Sequence, residues 1–192
     1  MHHTRSFPGM MNLIRGTAIC SDDHIRYLLL TANIARAIPG EAAELGVYRG
    51  GTARLIAEIL SDRPVHLFDT FAGIPEDDSV KGGHIKGAHP ASLQAVRQFM
   101  APCKNAVFHV GFFPETAKGL EDKTFSYAHF DGDIYQSCKA FIEFFWPRMN
   151  KGGIMAFHDY GFENCPGVKK ALEEAQMDVI WAYHCQCFVV KT

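Results

Sequence analysis

Short apolar runs typical of buried strands alternate along this chain with longer apolar runs that have helical spacing. The strand-like segments are 42–47, 64–68, 106–110, 126–130 and 153–157, and the helix-like segments are 25–37, 51–60, 92–100, 137–149 and 168–175. Strands that are separated by helices need crossover connections and therefore pair in parallel. Two further extended runs, 178–182 and 185–190, are joined by a short turn, so the last strand should be antiparallel. The sequence predicts an α/β, Rossmann-like fold with one doubly wound, mostly parallel seven-stranded sheet.

Length and composition favour a single domain over residues 1–192, in which 1–40 form an N-terminal helical segment. The formal net charge of −2 disfavours nucleic acid and anionic membranes as partners. No apolar stretch reaches the roughly 20 residues that span a bilayer, and no secretion signal is recognisable. The six cysteines include no C-x-x-C pair. We therefore expect a cytoplasmic protein with reduced thiols.

A glycine-rich loop, ELGVYRGGT over residues 44–52, follows the first predicted strand. Ligands of open α/β sheets bind beyond the carboxyl ends of the strands. Gly46, Gly50 and Gly51 allow sharp turns and close approach of a ligand. The spacing differs from the dinucleotide fingerprint G-x-G-x-x-G, and Tyr48 is bulky for a pyrophosphate cradle. A tight strand-to-helix turn without a ligand is the competing explanation.

Asp69 follows the second predicted strand and lies 23 residues after Gly46. This offset is close to the roughly 20 residues expected of an acid that binds ribose hydroxyls. A carboxylate can accept both hydrogen bonds of a vicinal diol. A lone Asp at this place is also a common helix cap. Gly111 and Phe112 follow the third strand and could flank an adenine ring, although a simple turn explains them equally well. The combination favours a nucleoside ligand.

Acidic residues and a histidine follow the fourth and fifth predicted strands. Asp131 and Asp133 follow one strand, and His158 and Asp159 follow the next. Adjacent strand ends would bring these side chains to one crevice, where carboxylate and imidazole ligands suit a divalent metal ion. Helix capping by Asp133 or Asp159 is the alternative.

A polar, glycine-punctuated segment over residues 76–90 is long for a loop. Segments of this kind often act as lids over a binding site. His84 and His89 lie within it and could contact a substrate or act as a base. The competing interpretation is that both are solvent-exposed loop residues without a function.

Seven blocks in unbroken order resemble the macrocin O-methyltransferase family. They are residues 43–52, 68–76, 111–116, 130–137, 151–153, 158–161 and 165–168. The resemblance implies a class I methyltransferase fold that binds S-adenosylmethionine and methylates a hydroxyl of a small molecule, often a sugar on a natural product.

The resemblance also assigns roles to individual residues. The methionine part of the cofactor would be bordered by Glu44, Gly46, Tyr48, Gly50, Gly51 and Thr52. The ribose would be held at Asp69, Thr70 and Phe71, and the adenine would lie near Gly111 and Phe112, with Asp131 also at the cofactor. The family binds Mg²⁺ through residues that correspond to Asp131, His158 and Asp159.

His158 departs from the family pattern because the family has an acid at this position. Imidazole is a softer ligand than a carboxylate, so Mn²⁺, Fe²⁺ and the absence of any metal are alternatives to Mg²⁺. A bound cation would lower the pKa of an acceptor hydroxyl, and Asp131, or next His158, would take its proton. The expected acceptor is smaller than a macrolide.

Two other functions remain open at this stage. An NAD-dependent oxidoreductase is disfavoured by the missing G-x-G-x-x-G. A non-catalytic protein that binds S-adenosylmethionine is kept open by His158. The aromatic run of the fifth helix, Phe141, Phe144, Phe145 and Trp146, predicts either a dense core or the subunit contact of a homodimer.

Overall fold

The computed structural model describes residues 6–18, 21–80 and 84–192. The described residues form six α-helices: α1 (Phe7–Ile14), α2 (Asp22–Ala35), α3 (Gly51–Ile59), α4 (Leu93–Met100), α5 (Tyr135–Phe145) and α6 (Pro166–Glu174). They also form seven strands: β1 (Glu41–Leu45), β2 (Val65–Asp69), β3 (Ala106–Val110), β4 (Phe125–Phe130), β5 (Met149–Phe157), β6 (Ile180–Tyr183) and β7 (Gln186–Val190). The start of the predicted N-terminal helical segment, Cys20 and residues 81–83 of the predicted lid lie outside the described residues.

The seven strands form one sheet in the order β3-β2-β1-β4-β5-β7-β6. Strands β1 to β5 are parallel, whereas β7 runs antiparallel to both β5 and β6. This arrangement confirms the predicted fold class, including the antiparallel last strand. The chain order reverses direction across the sheet at β1 and β4, so the carboxyl ends of these two strands flank the place where such sheets bind ligands.

The aromatic helix ends earlier than the sequence predicts. Helix α5 stops at Phe145 and continues as a 3₁₀ turn over Trp146–Arg148, after which β5 begins at Met149. Pro147 explains the early end because proline removes a helical N–H donor and clashes with the preceding turn. The prediction of a helix up to residue 149 was therefore wrong at its C-terminal end.

Two apolar layers cover the two faces of the sheet. Helices α1 to α4 pack on one face around Ile25, Leu55 and Ile56, whereas α5 and α6 pack on the other. Phe141 and Phe145 of α5 are fully buried, as the core interpretation predicts. Among the described residues, no helix combines the length and apolar character that a bilayer span requires.

Asn105, just before β3, closes the C-terminal end of α3. Its Nδ2 atom donates to the carbonyl oxygens of Ala57, Leu60 and Arg63 at 3.1, 3.1 and 3.0 Å. We expect Asn105→Ala to lower the free energy of unfolding by about 1–2 kcal/mol because these carbonyls lose their donor. Asn105→Asp should cost more, since it places a carboxylate at the negative end of the helix. Urea unfolding of both variants measures the difference, and equal losses would contradict this explanation.

Candidate functional site

A cavity of about 370 Å³ opens at the carboxyl ends of the parallel strands, a volume within the range of small-molecule sites. Ten of the predicted site residues line it: Gly46, Tyr48, Thr52, Asp69, Thr70, Gly111, Phe112, Asp131, His158 and Asp159. The other predicted site residues, Glu44, Gly50, Gly51 and Phe71, are not part of its lining. The structure thus gathers most of the predicted residues, from five strand ends, around one space.

Gly46 brings the ends of β1 and β4 into contact. Its φ is +92°, and a Cβ atom placed on it would lie 2.0 Å from the carbonyl oxygen of Asp131. The Asp131 N–H in turn donates to the Leu45 carbonyl oxygen at 2.9 Å. Only glycine fits a position that combines this backbone conformation with this contact. The close approach places the Asp131 side chain beside the glycine-rich loop.

Asp69 fixes the two loops on either side of it. Its carboxylate accepts hydrogen bonds from the backbone N–H groups of Tyr48 and Phe71, both at 2.7 Å. Tyr48 and Phe71 have φ values of 50° and 55°, which are strained for bulky side chains. The backbone N–H groups of Val47 and Thr70 also act on this carboxylate, and the Asp69 side chain lines the cavity. The residue is therefore a loop anchor that can also meet a ligand.

Burial changes the acidity of this carboxyl group. Loss of solvent raises the pKa of Asp69 above its ordinary value, and the backbone donors oppose the rise. Hydrogen bonds from a diol would oppose it further by stabilising the ionised form. The Asp69 carboxylate is therefore suited to accept hydrogen bonds from a neutral donor such as a diol.

Glu44 lies beneath the loop rather than at the cavity wall. Its carboxylate is fully buried, and Oε1 is 2.8 Å from Nδ1 of His129. Burial raises the pKa of Glu44, and the contact with His129 opposes the rise. Because Glu44 is not part of the cavity lining, its predicted place beside the methionine part of a cofactor stays a prediction.

His158 is held between two carboxylates. Its Nδ1 atom lies 3.0 Å from Oδ1 of Asp131 and 3.0 Å from Oδ2 of Asp159, without a well-directed hydrogen bond to either. Burial alone would lower the pKa of His158, but the charge of Asp131 and the contact with Asp159 raise it well above its usual value. Although burial acts in the opposite direction, His158 lowers the pKa of Asp131. The cluster therefore favours an imidazolium at His158 beside an ionised Asp131.

The N-terminal segment contributes a histidine to this cluster. His24 of α2 stacks on His158, with ring centroids 4.1 Å apart and an interplanar angle of 14°. It is 2% exposed, and neither ring nitrogen has a hydrogen-bond partner among the described residues. Burial, followed by the neighbouring charge of His158, lowers the pKa of His24 to about 2. His24 is thus a neutral ring that packs against the charged one.

Three carboxylates offer a fit for a divalent cation. Oxygen atoms of Asp131, Asp133 and Asp159 lie within 4.8 Å of one another. Burial and the charges of the other two carboxylates raise the pKa of Asp133 to about 8. A cation among them would relieve this repulsion, and an all-oxygen donor set suits Mg²⁺ or Mn²⁺. Asp133, which the strand-end argument placed in this crevice, is a candidate ligand that the set implied by the family resemblance, Asp131, His158 and Asp159, omits.

Other wall residues are ones that the sequence analysis did not predict as site residues. They come from the segment before α2, the loop after β2 and the turns that follow β5 and β6, and include Thr17, Ala18, Ile74, Phe162, Cys165 and Cys185. His84 and His89 of the predicted lid also line the cavity. Spacing within the chain gives no signal for most of these contacts, because they depend on how loops fold back over the sheet.

Comparison with models of protein families shows to which family this chain belongs. The family model described as macrocin-O-methyltransferase (TylF) matches residues 23–178, which is most of the chain and includes every strand end at the cavity. The chain belongs to the macrocin O-methyltransferase family. The resemblance drawn from the sequence blocks is therefore confirmed.

Individual members of the macrocin O-methyltransferase family are similar over most of the chain. An enzyme of Streptomyces olivaceus named 8-demethyl-8-(2,3-dimethoxy-alpha-L-rhamnosyl)-tetracenomycin-C 4'-O-methyltransferase is 27% identical, over 74% of this chain and 61% of its own. Demethyldecarbamoylnovobiocin O-methyltransferase of Streptomyces niveus is 30% identical, over 76% of this chain and 62% of its own. The chain thus spans about 61–62% of the length of these relatives.

Solved structures agree with this membership. The O-methyltransferase NovP is 25% identical with a TM-score of 0.79, and the match covers 92% of this chain and 82% of NovP. The calicheamicin methyltransferase CalS11 is 18% identical with a TM-score of 0.72, covering 96% and 90% of the two chains. The second likeness shows the shared fold.

Proposed function

We propose that this chain transfers a methyl group from S-adenosylmethionine to a hydroxyl of a small molecule, a sugar or natural-product intermediate. The observation that carries the proposal is Asp69, a half-buried carboxylate that anchors two strained loops and lines a cavity of suitable volume. The relatives that match the chain are named O-methyltransferases, and this supports the reaction class.

Cofactor binding follows from the cavity wall. The Asp69 carboxylate accepts hydrogen bonds from the ribose diol, and Gly111 with Phe112 forms the side on which adenine packs. The loop of Gly46 and Tyr48 borders the methionine part. S-adenosylmethionine would supply a methyl group that is electrophilic because it is bonded to a sulfonium sulfur. An acceptor oxygen would attack the methyl carbon, with the sulfur as the leaving group.

Methyl transfer depends more on the alignment of the acceptor oxygen with the methyl group than on general acid–base catalysis. The acceptor oxygen must lie about 3 Å from the methyl carbon and in line with the bond to sulfur. A C–O bond forms, the C–S bond breaks, S-adenosylhomocysteine leaves, and the hydroxyl proton passes to the Asp131 carboxylate. His158, 3.0 Å from Asp131, orients this carboxylate. A divalent cation, when bound, would be held by Asp131, Asp133 and Asp159 and would lower the pKa of the acceptor hydroxyl.

A methyl-transfer assay tests the proposed reaction. The protein is incubated with S-adenosylmethionine that carries a label in its methyl group. Three kinds of acceptor are tested separately: a rhamnosylated tetracenomycin, demethyldecarbamoylnovobiocin and a panel of simple glycosides. We expect label in the hydroxyl of at least one acceptor and equal release of S-adenosylhomocysteine. Tight binding of NADH without any response to S-adenosylhomocysteine would overturn the proposal.

Asp69→Ala is expected to weaken S-adenosylhomocysteine binding about 10- to 100-fold. Hydrogen bonds to a charged acceptor contribute about 1.5–3 kcal/mol, and the variant also frees the loops that Tyr48 and Phe71 hold. Calorimetric titration at a temperature where both proteins are folded gives the affinities. Asp122→Ala, at an exposed acid away from the cavity, is the matched control and should bind like the wild type. Unchanged affinity in Asp69→Ala would remove this residue from the ribose site.

A further inference from the structure

A histidine, a carboxylate and a thiol from three separate segments meet at the cavity wall. His84 comes from the predicted lid, Asp133 from the turn after β4, and Cys165 from the position just before α6. Cys165 Sγ lies 3.2 Å from His84 Nε2 and 3.9 Å from Asp133 Oδ1, and His84 Nε2 lies 3.8 Å from Asp133 Oδ1. The proposed methyl transfer gives no role to His84 or Cys165.

The separations match those of ligand atoms around one small metal ion. Tetrahedral zinc has bonds of about 2.3 Å to sulfur and about 2.0–2.2 Å to nitrogen and oxygen, so its ligand atoms lie about 3.3–3.6 Å apart. The three measured distances depart from this range by a few tenths of an ångström. The cluster therefore needs only small side-chain adjustments to bind an ion.

The chemical character of the donors points to a borderline transition metal. A thiolate and an imidazole favour Zn²⁺ over Mg²⁺ or Ca²⁺, which prefer sets of oxygen ligands. Cys165 is 1% exposed and lies just before the first turn of α6. Burial, followed by the charges of Asp159 and Asp133, raises the pKa of this thiol, so the thiolate forms only when a cation binds beside it. Burial of the thiol also protects it from competing solvent.

We propose that His84, Asp133 and Cys165 bind a Zn²⁺ ion, with a fourth coordination position open toward the cavity. The Cys165 thiol releases its proton to water when the ion binds, so that the sulfur coordinates as thiolate. The ion joins His84 to the start of α6 at the cavity wall. This site goes beyond the proposed methyl transfer. The two candidate metal sites share Asp133, but only the Zn²⁺ site includes a thiolate, so a measurement of thiolate coordination distinguishes them.

A second thiol in the cavity wall provides a test of specificity. Cys185 lies near His158 and Asp159, and its Sγ is 4.0 Å from His158 Nε2. The neighbouring carboxylates raise the pKa of His158, and an imidazolium has no lone pair to give to a metal ion. His158 is also engaged by two carboxylates through Nδ1. Cys165, rather than Cys185, is therefore the expected thiolate ligand.

Cobalt substitution tests the site directly. Co²⁺ is titrated into the reduced, full-length protein, and thiolate coordination is followed by the charge-transfer absorption that Co²⁺ gives only with sulfur ligands. We expect one equivalent of Co²⁺ to produce this absorption and Zn²⁺ to displace it. Cys165→Ser should abolish the absorption, and His84→Ala should weaken Zn²⁺ binding by more than about tenfold. Cys185→Ser and His89→Ala are the matched controls and should behave like the wild type.

Proteolysis supplies a second readout. Lys86 is an exposed trypsin site within the same segment as His84, so Zn²⁺ should slow cleavage there in the wild type and in Cys185→Ser but leave the rate in Cys165→Ser unchanged. Absence of a thiolate absorption in the wild type, its persistence in Cys165→Ser or its loss in Cys185→Ser would overturn the proposal. His84 lies on a different segment from Cys165. If Cys165→Ser fails to fold, the Zn²⁺ affinity of His84→Ala therefore still tests whether the cluster binds the ion. Loss of methyl transfer alone would have no bearing on this result.

Discussion

Asp131→Asn is expected to lower the rate of methyl transfer at least about 10²-fold and to leave S-adenosylhomocysteine affinity almost unchanged. The amide cannot take up the acceptor proton, a contribution that is typically worth 10²- to 10⁴-fold. It also removes one of the two carboxylates that lie 3.0 Å from His158 Nδ1. Turnover with saturating cofactor and calorimetric affinity for S-adenosylhomocysteine together measure the two effects.

Asp122→Asn provides the matched control for this substitution, because it makes the same chemical change at an exposed acid outside the cavity wall. It should retain wild-type turnover. If Asp131→Asn turned over as fast as the wild type, Asp131 would have no part in proton removal. A parallel loss of turnover and cofactor affinity would instead indicate a purely structural role.

Gly46→Ala is expected to lower the free energy of unfolding by about 3 kcal/mol or more and to abolish cofactor binding. The new Cβ would lie 2.0 Å from the Asp131 carbonyl oxygen, so β1 and β4 must separate at the cavity. The cost combines an unfavourable φ with overpacking against rigid backbone. Urea unfolding and calorimetric titration with S-adenosylhomocysteine provide the two measurements.

Gly119→Ala separates the clash from the backbone strain. Gly119 has φ +90°, close to the +92° of Gly46, but a Cβ atom there would meet nothing within 4 Å. We expect a loss of only about 1 kcal/mol in this control and normal cofactor binding. Equal losses in the two variants would show that the contact between Gly46 and Asp131 is unimportant.

The sequence predicts the sheet well because local patterns determine it. Alternating strand-like and helix-like runs lead to parallel pairing, and the short last turn leads to the antiparallel strand. Asp69 and Gly46 could be identified in the same way, since strand ends at a chain reversal share one edge of the sheet. Pro147 is the residue that indicates the early end of α5. The apolar run around it continues to Met149, and for this reason the predicted helix was too long.

The rest of the candidate site depends on contacts between distant segments. His24 reaches His158 from α2, and His84 reaches Cys165 across the cavity wall. No spacing within the chain encodes such contacts, because they arise from the way helices and loops pack over the sheet. Asp133 illustrates the intermediate case: its closeness to Asp159 follows from the adjacent strand ends, whereas its closeness to Cys165 has no signal in the sequence.

A crystal structure of the protein with S-adenosylhomocysteine tests the central claim most directly. The account predicts that the nucleoside occupies the cavity between β1 and β4, with both ribose hydroxyls within hydrogen-bond distance of the Asp69 carboxylate and the sulfur facing Asp131. A cavity that stays empty at saturating ligand, or a ribose bound away from Asp69, would contradict it.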